Sequence, residues 1–323
     1  MTAIVGILNT KGIAIAADSA VTFSNANNKV VLNKKGEKVI LSQDKVINSG
    51  DKMLRLKDKQ PVAIMIVGCS LLKNIPWDVI IRWYRKQKDD SGFPHFQDYI
   101  DDFMAFVSTK VVKPYIKKAD IVFDEAERTY LVFTGYGKDD PYPSISEYVV
   151  AGISKGKIQY SKLPKSVVIS DKRKSTVFAS GSPDIIVAIQ FGIQKSRIES
   201  VSKSLPSLLK DLLLRVDILD LHEDIIDEYL IHREVKKLIE ENRPEHYRQW
   251  LRLIKGYNLQ EMACLAENLI KATELHRKIT FQQESVGGLI DLAIITKNDG
   301  FQWLNRKSWY EPSRGGQYGK FGI

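Results

Sequence analysis

The first nineteen residues constrain the fold more than any other stretch, because they read as a buried β-hairpin. Residues 2–8 are apolar and partly β-branched, residues 9–12 form a polar turn that ends in glycine, and residues 13–17 are apolar again. Hydrophobicity that is nearly continuous along both strands indicates a hairpin covered on both faces. Asp18 and Ser19 follow directly, and a carboxylate at the end of a buried strand needs a partner because unpaired buried charge is costly.

The second residue is a candidate nucleophile. Thr2 follows the initiator Met1, and a residue this small in second place usually allows the methionine to be removed. The chain would then begin with a threonine that carries both a free α-amine and a hydroxyl. An α-amine has an ordinary pKa of about 7.7–8.0, so at neutral pH a fraction of it is a free base. Such an amine can activate its own neighbouring hydroxyl without a histidine.

A terminal threonine on a first strand, a glycine at the turn and the ending Ala-Ala-Asp-Ser resemble the start of proteasome β-type subunits, including bacterial proteasome-like peptidases. These are N-terminal-nucleophile hydrolases. Counted from Thr2, Asp18 stands at the spacing of the family's aspartate, and Thr22 stands where the family has a threonine that contacts substrate. The resemblance implies an α+β fold, a four-layer αββα sandwich with two antiparallel sheets between helix layers.

Two lysines compete for the position of the family's site lysine. Spacing from Asp18 alone selects Lys34, whereas flanking context selects Lys52, which precedes a short strand and then an apolar strand that ends at Gly68. We prefer Lys52, because context identifies the strand and a lysine in a turn is usually only solvated. The longer interval then implies an inserted hairpin at about 24–49. The resemblance makes the backbone N–H of Gly68 an oxyanion donor, and glycine permits close approach of a substrate.

A second glycine turn follows a strand at 177–182. Ser180 corresponds to the family's serine beside the terminal amine, and Gly181 follows it in the turn. Ser182 is read more simply as a helix N-cap that precedes proline.

The chain departs from the family near its last strand. Gly287 and Gly288 precede an apolar strand, as the resemblance leads one to expect. The family's aspartate nearby aligns with Gln283 or, with a one-residue shift, with Glu284, and its serine aligns with Val286. That aspartate normally orients the serine and the threonine, so this chain departs from the family in part of the hydrogen-bond network.

The remaining pattern predicts one domain over residues 1–303, with an inserted helical lobe at about 197–257 and a tail at 304–323. The resemblance itself covers about 2–23, 50–196 and 258–303. Apolar periodicity predicts helices and β-branched runs predict strands, as follows: helices at 71–86, 96–107, 183–193 and 259–277, and strands at 128–136, 147–153, 157–160 and 167–169.

Composition narrows the function classes. The 323 residues carry a net charge of +9, but the basic residues are scattered among acids and no nucleic-acid-binding motif is present, so we expect no nucleic-acid partner. Two cysteines without paired spacing and five histidines without ligand spacing predict no disulfide framework, no metal and no cofactor. The start lacks the features of a signal peptide and no apolar run could span a bilayer, so we expect a cytoplasmic protein with no membrane partner.

The resemblance implies a threonine-type peptidase, in which Thr2 attacks a peptide carbonyl with its own amine as general base. Val21, Ile66 and Leu54 are expected to line an apolar primary pocket, which favours cleavage after apolar residues. The family works as self-compartmentalising homo-oligomeric rings, often supplied with unfolded protein by an ATPase unfoldase partner, so peptides or unfolded proteins are the expected substrates.

Two alternatives stay open. The chain could be a catalytically inactive proteasome-like scaffold or interaction protein, which the residues at 283 and 286 favour. It could also be an amidohydrolase of the same superfamily that acts on small substrates.

Overall fold

The N-terminal hairpin pairs as the sequence predicts. Its strands Ala3–Asn9 and Gly12–Ala17 are antiparallel, in register from Ile4 opposite Ala17 to Asn9 opposite Gly12. Every residue of both strands is buried, so the hairpin is covered on both faces. The computed structural model describes residues 2–23, 29–32, 38–41, 45–47, 50–116, 120–192, 245–280 and 286–307, with isolated positions between 200 and 237. For residues 22–47 it describes the backbone alone.

The described strands, in chain order, are β1 Ala3–Asn9, β2 Gly12–Ala17, β3 Val21–Phe23, β4 Lys29–Leu32, β5 Lys38–Leu41, β6 Lys45–Ile47, β7 Met53–Arg55, β8 Val62–Gly68, β9 Leu71–Leu72, β10 Ile75–Pro76, β11 Asp120–Val122, β12 Thr129–Gly135, β13 Ser144–Ser154, β14 Lys157–Lys162, β15 Val167–Val168, β16 Ser175–Gly181, β17 Asp291–Thr296 and β18 Gly300–Asn305. The helices are α1 Trp77–Gln87, α2 Phe96–Phe106, α3 Asp184–Phe191 and α4 Leu259–Ile279. Residues 245–256 are also helical, and α2 continues as a π-helical turn at Val107–Val112 and a short turn at Lys113–Tyr115.

Two antiparallel sheets organise these elements. The first sheet has the strand order β16-β1-β2-β17-β18, so the hairpin lies at its centre. The second sheet has the order β11-β13-β12-β8-β7, and β14 and β15 pair with β13. This is a mixed α+β architecture, as the sequence predicts.

The two sheets share a hydrophobic core. Period-2 alternation sends Ile4 and Leu8 of β1 to one face of the first sheet, where they join Ala63 and Met65 of β8 from the second sheet. Ala3, Val5 and Ile7 of β1 lie on the opposite face of the sheet and belong to a different core. The central hairpin is therefore apolar throughout because each of its faces packs against a separate layer of side chains.

Helices cover the outward faces. Val5 and the other outward residues of the first sheet pack with Ile186 of α3, with Met262 of α4, and with Ile254 of the helical segment 245–256. On the second sheet, Ile64 and Ile66 pack with a cluster of aromatic residues on α1 and α2. Helix α4 begins with a capping box, in which the Asn258 side chain accepts from the N–H of Glu261 at 2.9 Å and the Glu261 carboxylate accepts from the N–H of Asn258 at 2.7 Å.

Helix α1 begins six residues later than the pattern predicts. Instead of a helix from residue 71, the chain forms a tight hairpin of β9 and β10. Pro76 is extended at φ −63° and ψ 136° and is the N-cap of α1, rather than a residue of its first turn. Lys73 has φ +55°, so the turn between β9 and β10 bends the chain away from helical geometry.

The predicted insertions and tail are described in part. In the region 24–49, β4 and β5 pair as an antiparallel hairpin, and β3 pairs with β6. Most of the predicted lobe at 197–257 lies outside the described residues. The predicted tail starts at residue 304, whereas β18 continues through Asn305 and the Lys307 side chain is buried beside the first sheet. In the part of the chain that the structure describes, no helix is both long and apolar enough to cross a bilayer.

Candidate functional site

Thr2 lies at the start of β1, where the first sheet meets the second. Its exposed fraction is 6%. The neighbouring strand β16 ends at Gly181, which is paired with Ala3 and has φ +85°. A Cβ at Gly181 would overlap the carbonyl oxygen of Thr2. Glycine is therefore required at this position for two reasons, its left-handed backbone and its contact with the first residue of the strand.

The Asp18 carboxylate, at the end of β2, accepts four hydrogen bonds inside the protein. Its Oδ1 accepts from the N–H of Ala3 and from Nζ of Lys52, both at 2.8 Å. Its Oδ2 accepts from the N–H groups of Ala20 and Gly287, both at 3.2 Å. These bonds compensate the fully buried charge of Asp18. They also connect segments that are far apart in sequence, from Ala3 to Gly287.

The structure places Lys52 beside Asp18. Lys34 lies outside the described residues. Burial lowers the pKa of Lys52 below its ordinary value, even though the charge and the hydrogen bond of Asp18 act to raise it. The nearby charge of Lys307 lowers the pKa further.

A second buried ion pair stands next to the first. Nζ of Lys307 lies 3.0 Å from Oδ2 of Asp291, and both side chains are buried. The backbone N–H of Lys307 donates to Oδ1 of Asp291 at 3.0 Å, and its Nζ donates to the carbonyl oxygen of Gly50. The pair thus connects the residues after β18 with the segment that leads into Lys52.

On one side of Thr2 lies a cavity of about 360 Å³. Three residues predicted from the sequence, Val21, Lys52 and Ile66, line it together with Thr2. The rest of the wall consists of Gly50, Asp51, Ser70, Leu71, Pro76 and Asp78. Leu54, which was expected in this pocket, is instead 3% exposed in the core beneath α1 and α2.

On the other side lies a cavity of about 380 Å³ that Thr2 also lines. It brings together Gly68, Ser180 and Gly181 of the predicted set. Gly68 has φ +80°, and a Cβ there would lie 2.7 Å from the carbonyl oxygen of Arg128, so glycine is needed to end β8 in this way. The remaining lining residues are Val67, Glu125, Tyr130, Glu147, Lys165 and Pro183.

Ser180 has a charged partner that sequence reasoning missed. Its hydroxyl donates a hydrogen bond to Oε1 of Glu147, a fully buried residue of β13 in the second sheet. Nζ of Lys165 lies 2.6 Å from Oε2 of Glu147 and 3.5 Å from the hydroxyl oxygen of Ser180. The three side chains form a bridge between the sheets beside Thr2.

Less is described of the remaining predicted positions. Thr22 lies in β3, and its side chain is not among those described. Gln283 and Glu284 lie outside the described residues. Val286 is 3% exposed in the core between the first sheet and its helices. The N–H of the next residue, Gly287, bonds to Asp18 as described above.

Weak sequence signals existed for two of the missed residues. Glu147 is a carboxylate inside an otherwise apolar and hydroxyl-rich strand, and Asp291 is a carboxylate at the start of another apolar strand. A charge within a strand pattern calls for a partner. Lys165 and Lys307 lie in loops, where lysine is ordinary, so no comparable signal was available for them.

Among the described residues, no three His, Cys, Asp or Glu side chains are grouped so that they could hold a metal ion. The sequence matches no protein-family model and none of the curated proteins with which it was compared.

Proposed function

We propose that this chain is an N-terminal threonine hydrolase that cleaves peptide bonds with Thr2 as nucleophile. The observation that carries the proposal is the position of Asp18, whose Oδ1 binds both the N–H of Ala3 and Nζ of Lys52. One carboxylate thereby holds a buried lysine next to the residue that follows Thr2. Thr2 and Lys52 line the same cavity.

We further propose that the architecture is the four-layer αββα sandwich of N-terminal-nucleophile hydrolases. The arrangement of the cores supports this. One core combines side chains of both sheets, a second lies between the first sheet and α3 and α4, and a third lies between the second sheet and α1 and α2. These contacts support the expected order of helices, sheet, sheet and helices.

The reaction begins once Met1 has been removed. The α-amine of Thr2 takes the proton of its own hydroxyl as Oγ attacks the carbonyl carbon of a peptide bond. The resulting oxyanion is positioned to accept a hydrogen bond from the N–H of Gly68. The C–N bond then breaks, the departing amine takes the proton from the α-ammonium group, and an ester on Thr2 remains. Water, activated by the α-amine, releases the acid and restores the hydroxyl.

Lys52 provides a fixed positive charge near Thr2. A cation close to the α-amine disfavours the ammonium form and so favours the free base that the reaction requires. It also stabilises negative charge that develops on Oγ. Because Asp18 holds Lys52 in place, no large rearrangement is needed when that charge appears.

We propose that the enzyme acts in a homo-oligomeric ring on peptides or unfolded proteins, with an ATPase unfoldase as partner. The resemblance of the N-terminal segment to proteasome β-type subunits supports this assembly. The inactive scaffold remains the competing function, and it is favoured by Val286, an apolar core residue where the family has a serine.

The test is the intact mass of the purified protein before and after treatment with a peptide epoxyketone, a reagent that reacts with both the amine and the hydroxyl of a terminal threonine. We expect loss of Met1 and a single adduct that maps to Thr2. Thr2→Ala should abolish both the adduct and peptidase activity, whereas Thr10→Ala, at an exposed position in the first turn, should change neither. A retained Met1, or full activity in Thr2→Ala, would refute the proposal. Loss of Met1 without an adduct and without activity would favour the scaffold.

A further inference from the structure

Glu147 is a buried carboxylate for which the reaction described above has no use. It lies on β13 of the second sheet, and its hydrogen-bond partner Ser180 lies on β16 of the first sheet. Strand alternation places Glu147 on the same face as Ile145, and Ser180 on the same face as Phe178, both of which belong to the core between the sheets. A charge at the edge of an apolar core lowers stability unless it is compensated, so its presence requires an explanation.

The direction of the hydrogen bond limits what Ser180 can do. A serine hydroxyl has one hydrogen to donate and two lone pairs with which to accept. An ionised carboxylate accepts only, so the Ser180 hydrogen is committed to Glu147. Lys165, 2.6 Å from the other oxygen of Glu147, keeps that carboxylate paired. The oxygen of Ser180 accepts from Nζ of Lys165 at 3.5 Å, so one lone pair is left as an acceptor, and Ser180 lines the cavity that Thr2 also lines.

We propose that Glu147 is a positioning residue for the nucleophile: it commits the Ser180 hydroxyl to accept a hydrogen bond from the α-amine of Thr2, and thereby sets the strength of that amine as a base. The inference rests on the proposed function of Thr2. It assigns an orienting role to Glu147, on the second sheet, and to Lys165, in a loop.

The consequence for proton transfer is direct. A hydrogen bond from the α-ammonium group to Ser180 stabilises the protonated amine, so the amine becomes a better acceptor for the proton of its own hydroxyl. It also fixes the rotation of the amine, because one N–H is occupied. Charged and titratable side chains around Thr2 that bear on this equilibrium are Asp18, Lys52, Glu125, Tyr130, Lys165 and Glu147, with Asp51 and Asp78 in the other cavity.

The first measurement is the dependence of kcat and KM on pH for Glu147→Gln, Ser180→Ala and the double variant. A glutamine at position 147 can donate to Ser180 as well as accept from it, so the Ser180 hydroxyl no longer has to act as the donor. We expect kcat to fall about tenfold or more in each single variant, with KM within about twofold, and the acidic limb of the profile to move to lower pH. The double variant should be no worse than Ser180→Ala, because both changes act through one hydroxyl.

The matched control is Glu127→Gln, which removes an exposed carboxylate that lines neither cavity. It should leave kcat within about twofold of the wild type, because an exposed charge is screened by solvent. The inference is overturned if Glu147→Gln behaves like Glu127→Gln, or if the losses in the double variant multiply. Should Glu147→Gln fail to fold, Ser180→Ala carries the same expectation, and an unshifted acidic limb in that variant would overturn the inference.

A second measurement separates this inference from the proposed function. The α-amine of Thr2 is acetylated over a range of pH with a labelled anhydride, and the extent is read by mass spectrometry. This reports the pKa of the amine whether or not the protein cleaves peptides. A lower pKa in Glu147→Gln than in the wild type supports the role of Glu147 even if Thr2→Ala retains activity. An equal pKa in the two proteins, or a retained Met1, overturns it.

Discussion

Nζ of Lys52 and Oδ1 of Asp18 are 2.8 Å apart, and both side chains are buried. The two partners are not equivalent. Asp18 also accepts from three backbone N–H groups, those of Ala3, Ala20 and Gly287. The carboxylate therefore keeps partners if the lysine is lost, whereas loss of the carboxylate leaves a buried ammonium group without its opposite charge.

This asymmetry predicts unequal effects on stability. Asp18→Asn should lower the free energy of unfolding by about 3–5 kcal/mol, the cost of breaking a buried ion pair from one side. Lys52→Met should cost less and should still abolish peptidase activity, because it removes the charge beside Thr2. Urea unfolding checks both values. Glu127→Gln, which breaks the exposed pair of Glu127 with Lys73, is the control and should cost at most about 1 kcal/mol. Equal losses in Asp18→Asn and Lys52→Met would contradict the asymmetry.

Gly181 predicts a second pair of variants. Gly181→Ala places a methyl group against the carbonyl oxygen of Thr2 and also strains a backbone at φ +85°. We expect kcat/KM to fall about a hundredfold or more, because displacement of the nucleophile by even one ångström is costly. Gly156→Ala is matched for strain, since Gly156 has φ +72° but no atom within 4 Å of its added Cβ. It should lose about 1 kcal/mol of stability and keep its activity. Similar activities in the two variants would show that Gly181 does not position Thr2.

The cavity on the Val21 side predicts a specificity that the sequence did not. Alongside Val21 and Ile66 its wall carries two carboxylates, Asp51 and Asp78. Arg82 neutralises Asp51 at 2.6 Å but lies 3.9 Å from Asp78. We therefore expect cleavage after apolar residues and, through Asp78, after lysine.

Competition between fluorogenic peptides that differ only in this residue tests the specificity. Asp78→Asn should lower kcat/KM for the lysine peptide about three- to fivefold, the effect of one partly exposed charge, and leave the leucine peptide unchanged. Asp58→Asn, in an exposed pair with Arg85 and absent from the cavity wall, should alter neither. An unchanged ratio of the two peptides in Asp78→Asn would exclude a role for this carboxylate in recognition.

The pair of His95 and Asp140, outside the candidate site, predicts that the stability of the folded protein depends on pH. The hydrogen bond that the His95 ring donates to Asp140 raises the pKa of His95 above its ordinary value of 6.5. Burial acts to raise the pKa of Asp140, but hydrogen bonds from His95 and from the N–H groups of Phe96 and Gly137 outweigh it and lower that pKa below 3.8. The stabilisation by His95 is complete below about pH 6.5 and is lost as the pH rises through the higher pKa of His95 in the folded protein. The stabilisation by Asp140 is complete above about pH 3.8 and is lost as the pH falls through the lower pKa of Asp140 in the folded protein.

An NMR titration of the His95 ring checks this relationship. The midpoint should lie above 6.5 in the wild type and return toward 6.5 in Asp140→Asn. The difference in melting temperature between the two proteins should be largest between about pH 3.8 and pH 6.5, and it should shrink above the titration midpoint of His95. A midpoint unaffected by Asp140→Asn would contradict the assignment of the shift to that carboxylate.

Local patterns in the sequence determined the elements and much of the site. The hairpin of β1 and β2 follows from apolar runs and a glycine turn, and α4 follows from its periodicity. Both patterns act over a few residues, so neighbours in the sequence suffice to recognise them. The start of α1 was misplaced because Pro76 fits either a first helical turn or an extended N-cap, and the preceding hairpin decides between them.

Pairing across the fold was decided by tertiary structure alone. Spacing from Asp18 favours Lys34 and flanking context favours Lys52, and the approach of the segment before β7 to the end of β2 makes Lys52 a partner of Asp18. Glu147 and Lys165 were not foreseen for the same reason. A buried charge in a strand signals that it needs a partner, but which side chain meets it depends on how two sheets stack, and no periodicity along one strand encodes that. The sequence by itself determined the candidate nucleophile and its aspartate, and the packing of the two sheets decided which charges surround them.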